Sequence, residues 1–208
     1  MLKVSNVEVW GFEHALRGMR NPKNSWHKSD SEYVQDGLVT KYRIGPNDLD
    51  LARRLIKAGP EHRKFTRQIF VSMDIEAPLY WWKEFDTYKI STTANSCSTM
   101  HKIHDKEFTL DDFAHEHLMD DSVYTMSHLI GVLNLCREKF IETDKKKWWW
   151  QMIQLLPTSY MQKRTVTMTY ETAYNMEHQR DHHKLDEWHV MVDVIRALPN
   201  YQELFGEE

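Results

Sequence analysis

Twice in this chain the apolar period changes from two residues to about 3.6 with no linker between, and a chain that does this must mix strands and helices in one core. Gln68 to Ile75 reads as a strand, and Pro78, tolerated in a first helical turn, opens an aromatic-rich helix through Leu79, Tyr80, Trp81, Trp82 and Phe85. Met161 to Thr169 alternates as a strand and passes into a helix from about Tyr170 to Asp181. A further helix, His183 to Leu198, is closed by Pro199.

The rest of the chain fits the same class. Val4, Val7 and Val9 suggest a first strand, followed by a short helix from Phe12 to about Met19. The polar segment through Asn21-Pro22, Asn24-Ser25 and Ser29-Asp30-Ser31 reads as a mobile loop. From Asn47 as N-cap, Leu49, Leu51, Ala52, Leu55 and Ile56 recur at helical spacing until Gly59-Pro60 stops the helix. Ser91 to Thr99 is nearly all small and hydroxyl-bearing, a composition that competes with helix hydrogen bonding and suits a loop wrapping a polar ligand.

Leu110 to Leu118 and Ser122 to Ile141 are expected to be helical. The second carries Val123, Met126, Leu129, Ile130, Leu133 and Cys136 on one side and is long enough for a central helix. Another helix covers about Lys145 to Leu156. Trp148, Trp149 and Trp150 lie on it about 100° apart and cannot share one face, so at least one is expected to be exposed or, the favoured reading, at an interface. The sum is a single α+β domain over residues 1–208 with more helix than strand.

Charge and cysteine usage narrow the function classes. A formal charge of -4 gives no electrostatic case for duplex DNA, although a small anionic ligand is compatible with it. Cys97 and Cys136 fit neither a CxxC redox motif nor a zinc ribbon, which suggests a reducing compartment. Met1 to Gly11 lacks an apolar leader core, and no run approaches the ~20 apolar residues of a bilayer span. A soluble, cytoplasmic protein without a membrane partner is expected.

Histidine supplies one candidate from a separate class. His178 and His182 stand one helical turn apart and, with Asp181 or Asp186, are a weak metal-ligand pattern. No His-Glu-x-x-His pattern supports it, and His115 and His117 point apart on a helix, so no metal site is expected.

Gly59-Pro60-Glu61-His62, a strand, Ala77-Pro78-Leu79-Tyr80, a helix, Thr87-Tyr88-Lys89-Ile90-Ser91-Thr92 and then Asn95-Ser96-Cys97-Ser98-Thr99-Met100-His101 together resemble the flavin-dependent thymidylate synthases. That family carries a signature of the form Arg-His-Arg-x-x-Ser-x-Asn-Glu-x-Ser-x-Arg-Tyr. Lys89 falls at its second arginine, Thr92 at the first serine, Asn95 at the asparagine and Ser98 at the second serine, with one residue inserted between the halves. A second match follows Leu156-Pro157 and a strand, where Asn175, Arg180 and Leu185-Asp186-Glu187-Trp188 stand where the family has an asparagine, an arginine and Ala-Gln-x-Glu. The likeness spans roughly two-thirds of the chain.

The resemblance implies a helix-rich α+β fold with a small, mostly antiparallel sheet and a homotetramer whose sites draw on several subunits. It implies FAD as cofactor, a dUMP-like pyrimidine nucleotide as substrate, and NADPH and methylenetetrahydrofolate as co-substrates. Reduced flavin does the chemistry, so no catalytic side chain is expected. By position, His62, Tyr88, Lys89, Asn95 and Asn175 fall to the cofactor, and Ser96, Ser98 and Arg180 to the nucleotide. Arg180 would grip the phosphate, with Ser98 and neighbouring N–H groups completing the cradle.

The departures are as informative. Met100 stands at a nucleotide-binding arginine, Ser96 at a glutamate, Thr87 and Tyr88 at the Arg-His that supports flavin, and Lys89 is a point charge without the arginine fork. Each lost charge-assisted bond costs about 1.5–3 kcal/mol, and Arg63, Lys64, Lys163 and Arg164 are the candidate substitutes. The alternative is therefore an inactive nucleotide- or flavin-binding protein on the same scaffold.

Overall fold

The computed structural model describes residues 1–206. They form β1 (Lys3–Trp10), α1 (Phe12–Met19), β2 (Glu32–Asp36), β3 (Val39–Arg43), α2 (Pro46–Lys57), β4 (Phe70–Pro78), α3 (Leu79–Phe85) and β5 (Thr92–Ser96). Then come α4 (Asp120–Thr143), α5 (Lys146–Leu155), β6 (Met161–Thr169), α6 (Tyr170–Arg180), α7 (Asp186–Arg196) and α8 (Tyr201–Phe205). About half of the chain is helical, with a small antiparallel sheet. The strand order is β1-β4-β6-β5, and β2 and β3 pair separately as an antiparallel hairpin.

The chain divides into two compact units. The first comprises residues 1–5, 74–87 and 94–165, and the second the described residues 6–73, 88–93 and 166–206. In the first, Ile103, Phe108, Phe113, Leu133, Cys136 and Met152 form a buried cluster, with Trp148 and Trp149 partly buried against it. Burial also raises the Cys136 thiol pKa. Trp81, Trp82 and Phe85 of α3 are buried and make a second aromatic group, with Trp81 and Trp82 rings 4.9 Å apart and edge-on. Trp150 is 42% exposed, as the 100° rule requires of one tryptophan in the triplet.

In the second unit, Ala15 and Leu16 of α1, Leu51 and Ala52 of α2, and Met191, Val192 and Ile195 of α7 are buried. The period-two pattern of β4 and β6 and the helical pattern of α2 and α7 select these faces. Gly11 joins β1 to α1 at φ 101, where a Cβ would lie 2.2 Å from the Gln68 carbonyl oxygen, so both conformation and approach demand glycine.

Several elements depart from expectation. Ser29 to Ser31 is not a loose loop, because its hydroxyls and amides converge on the fully buried Asp48 carboxylate. Arg20 Nε donates to the same carboxylate at 2.5 Å. Burial pushes the Asp48 pKa up, but the bonds from Ser31, Ser29, Arg20 and the Asp30 amide outweigh it and hold it below the usual value. The N-cap of α2 is Gly45 rather than Asn47, and the Asp30 carboxylate accepts from the Asn47 and Asp48 amides. That carboxylate does from a distance what a capping side chain does locally.

The hairpin turning between Asp36 and Val39, with Gly37 at φ 63, and the short α8 are additional to the elements expected. Leu110 to Leu118 holds only a single 3₁₀ turn, Leu110–Asp112, closed by a reciprocal cap between Thr109 and Asp112. Of α4, only Leu133 and Cys136 are buried, so it is not a central helix. Its outer side leaves Tyr124, Leu135 and Ile141 exposed.

Candidate functional site

The site is built on α6. Thr169 caps this helix by accepting from the Thr172 amide, and Glu171, Tyr174 and Asn175 then fall on one face at i, i+3 and i+4. The segment before β5 is tied to the same helix. Thr172 Oγ1 donates to the Ile90 carbonyl at 3.2 Å, and the Tyr88 hydroxyl donates to Gln179 Oε1 at 3.0 Å.

Arg180 Nε in turn donates to the Tyr88 hydroxyl at 3.0 Å. Its guanidinium carbon lies 4.6 Å from the Trp188 ring centroid and 5.6 Å from that of Tyr88. The two rings meet edge-on at 6.1 Å, so the cation is held by ring electrostatics as well as by the hydroxyl. Thus Tyr88 and Arg180, named from two stretches 92 residues apart, are in contact. Glu177, on the same helix, accepts instead from Arg196 Nε at 2.8 Å.

One turn before, Asn175 accepts through Oδ1 from Arg63 Nη2 at 3.4 Å. Arg63 is buried, and its Nε bonds Glu171 Oε2 and Oε1 at 2.9 and 3.1 Å. The guanidinium also stacks over Tyr174 at 4.6 Å. Arg63 is therefore committed to α6 and is not a spare phosphate ligand. Arg164 is committed likewise, lying 4.1 Å over the Trp82 ring and bonded to Asp86 at 2.7 Å, and Lys163 pairs with Asp74 at 3.0 Å. Among the four candidate substitutes, Lys64 alone makes no ion pair with a described residue.

His62 immediately precedes Arg63 in the chain. It lines a 450 Å³ cleft with Met19, Leu55, Phe65, Lys23 and Lys64, while its neighbour Arg63 points to Asn175. Lys89 is exposed beside the docked segment.

Asn95, Ser96 and Ser98 belong to the other unit. The expected loop is in part the strand β5, at the edge of the sheet beside β6, because a Thr-rich stretch suits a pleated edge as well as a loop. Asn95 and Ser96 are exposed on it. Past its end, the Cys97 amide donates to the Lys163 carbonyl, and Ser98 Oγ accepts from the His101 amide at 3.0 Å. Ser98 also lines a 220 Å³ cavity with Lys106, Asp112, Tyr160 and Lys163. The hydrogen bonds that Lys106 and Lys163 donate to Asp112 and Asp74 raise their respective pKa values, so both ammonium groups stay charged.

Around the histidine candidates the acidic groups at the end of α6 are taken up by α7 and α8. Glu177 and Asp181 bond Arg196, and the Tyr201 hydroxyl donates to Glu177 at 2.8 Å. Burial first, and the Glu177 charge second, push the Tyr201 pKa far upward. His178 Nδ1 lies 3.1 Å from the Tyr174 carbonyl, and His182 is fully solvated. Among the described residues no group of three or more His, Cys, Asp or Glu is placed to hold a metal ion.

Comparison with solved structures identifies the architecture. Over 97% of this chain and 98% of the other, it superposes on the flavin dependent thymidylate synthase ThyX from Helicobacter pylori complexed with FAD and dUMP, at TM-score 0.68 and 15% identity. The chain has the thymidylate synthase X fold. A second structure of the Helicobacter pylori protein, with FAD and dUMP, gives TM-score 0.69 at 14% identity over 99% and 97% of the two chains. The UMP/dUMP methylase PolB from Streptomyces cacaoi, bound with 5-Br dUMP, gives 0.62 at 11% identity over 98% and 91%. No family model matches the sequence, and a search among curated protein sequences finds no match.

On this synthase fold, sequence reasoning missed Glu171, Tyr174, Gln179 and Trp188 as partners of the named residues. The helical spacing of Glu171 and Tyr174 from Asn175 was a usable signal. Nothing local marked Trp188 as the ring under Arg180. No described helix is long and apolar enough to cross a membrane.

Proposed function

We propose that this chain binds a dUMP-like pyrimidine nucleotide and FAD at α6 and, as a flavin-dependent thymidylate synthase-like transferase, passes a one-carbon unit or hydride to the nucleotide. The meeting of Tyr88 with Arg180 carries this reading, because it joins the two stretches on which the family resemblance rests. Solved structures of the same fold contain FAD with dUMP, or a brominated dUMP. In this reading Arg180 holds the phosphate, Asn175 faces the flavin, and His62, Tyr88, Lys89 and Asn95 complete the cofactor contacts. Ser96 and Ser98 serve the nucleotide, and NADPH and methylenetetrahydrofolate are the co-substrates.

The residues of the second unit suit such ligands. They offer a guanidinium for an anion, a phenol bonded to it and a side-chain amide for a ring edge. Flavin, when bound, supplies the redox chemistry, and the chain supplies binding, orientation and electrostatics.

A specific observation favours a second reading, an inactive binding protein. Arg63 and Arg164, the candidate substitutes for the missing arginines, are held by Glu171 and Asp86. Purification followed by flavin absorbance, FAD titration and turnover with dUMP separates the readings. FAD binding with turnover supports the enzyme, FAD or dUMP binding without turnover supports the second reading, and no FAD binding at any concentration removes the flavin claim.

We extend the proposal to a cytoplasmic homotetramer of single-domain chains. The two free cysteines and the exposed apolar residues Tyr124, Leu135 and Ile141 of α4 are consistent with it. Light scattering at four times the chain mass tests the assembly. Coincident unfolding transitions seen by tryptophan fluorescence and far-ultraviolet dichroism test the single domain.

A further inference from the structure

We infer that Arg63 is a positioning residue that fixes the Asn175 amide with its NH₂ group toward the ligand, so that this point of the site selects an acceptor such as a ring carbonyl oxygen. The inference rests on the reading in which Asn175 faces the bound cofactor. It adds which end of the amide the ligand meets and what enforces the choice.

A guanidinium has donors only, so the Asn175 atom that approaches Arg63 Nη2 must be the carbonyl oxygen, and the NH₂ must point away from it. Arg63 itself is held on two sides, and its carboxylate partner is anchored in turn. Its Nε bonds both Glu171 oxygens, its plane lies over Tyr174, and Glu171 Oε2 accepts in addition from Thr66 Oγ1 at 2.8 Å. Because Glu171, Tyr174 and Asn175 share one face of a single helix, the carboxylate, the ring and the amide cannot shift independently.

The energetics agree. The pair is almost buried, with side chains 11% and 10% exposed. A buried ion pair is a weak device for stability, since apolar replacement of both members is often neutral or stabilising. What an apolar pair would not reproduce is the donor that turns the amide.

The experiment compares wild type with Arg63→Lys, Arg63→Met, the double variant Arg63→Met with Glu171→Met, and Asn175→Asp. Asparagine-selective ¹⁵N spectra of the ligand-free proteins read the Asn175 side-chain amide, assigned by its loss in Asn175→Asp. Fluorescence titration then reads FAD affinity. The resonance pair should be single in wild type and Arg63→Lys, and shifted or exchange-broadened in the double variant. That variant should melt near the wild-type temperature yet bind FAD about tenfold more weakly, while Arg63→Lys stays nearer to wild type.

An unchanged amide resonance in the double variant overturns the inference, as does wild-type FAD affinity in that variant. Equal losses in Arg63→Lys and the double variant overturn it too, since donor chemistry would then not matter. If wild type binds no FAD, the cofactor reading fails by itself, and the ligand-free spectra still decide whether Arg63 orients the amide.

Discussion

Two hydroxyl-rich stretches of this chain are ordered by opposite means. In Ser29 to Ser31 the hydroxyls and amides turn inward onto one buried carboxylate, Asp48, which Arg20 balances. In Thr92–Ser96 the backbone makes the order, as an edge strand beside β6, and Asn95 and Ser96 keep their side chains exposed. Similar composition thus yields a side-chain-determined segment in one place and a backbone-determined one in another. The difference lies in whether a buried charge is near enough to collect the donors.

The comparison makes graded predictions. Asp48→Ala removes the acceptor from under Arg20 and the serines and should destabilise the protein by about 3–5 kcal/mol in urea unfolding. A loss below about 1 kcal/mol would break the contrast at its stronger end. Arg180→Ala should cost about 1–2 kcal/mol, from the lost ring contacts and the Tyr88 bond. It should also abolish any dUMP-induced thermal shift, and an undiminished shift would place the phosphate elsewhere.

A pH series sharpens the first half of the comparison. The folded Asp48 pKa lies below its unfolded value, so its ionised form adds stability that is complete above about pH 4. That contribution drains away as pH falls through the folded pKa. The stability difference between wild type and Asp48→Asn, followed by thermal melting, should therefore be flat above pH ~4 and shrink below it. A constant difference down to pH 2 would contradict the bonding described. Smallest of all, Ser98→Ala removes one bond to the His101 amide and should change stability by no more than about 0.5 kcal/mol. A larger loss would mean that the turn directly after the second stretch depends on its side chains, as the first stretch does.

Tyr88 to Ile90, just before the second stretch, behaves like the first. A phenol bonded by Arg180 and a carbonyl bonded by Thr172 fix it on α6. The order along this part of the chain therefore changes in kind within a few residues, at Ser91 with φ 57. The fixed part is where mutation should be felt first in ligand binding.

The sequence by itself determined the fold class and most element positions. β6 runs Met161–Thr169 and α1 runs Phe12–Met19, as their periodicity indicated, because burial of one face imposes a period on the nearest residues. It also supplied the two stretches whose residues Tyr88 and Arg180 meet. What only the tertiary structure decided was the fate of the long polar side chains. Arg63 was a phosphate candidate until Glu171, 108 positions away, proved to hold it, and Ser29 to Ser31 was a loop until Asp48 gathered it. Leu110 to Leu118 had helical apolar spacing, yet it holds one 3₁₀ turn, after which the Ala114 amide donates to the Ser159 carbonyl. Local period is written in neighbouring residues, whereas the partner of a charge or a donor is chosen in space, and the energy of that pairing depends on a burial the sequence does not display.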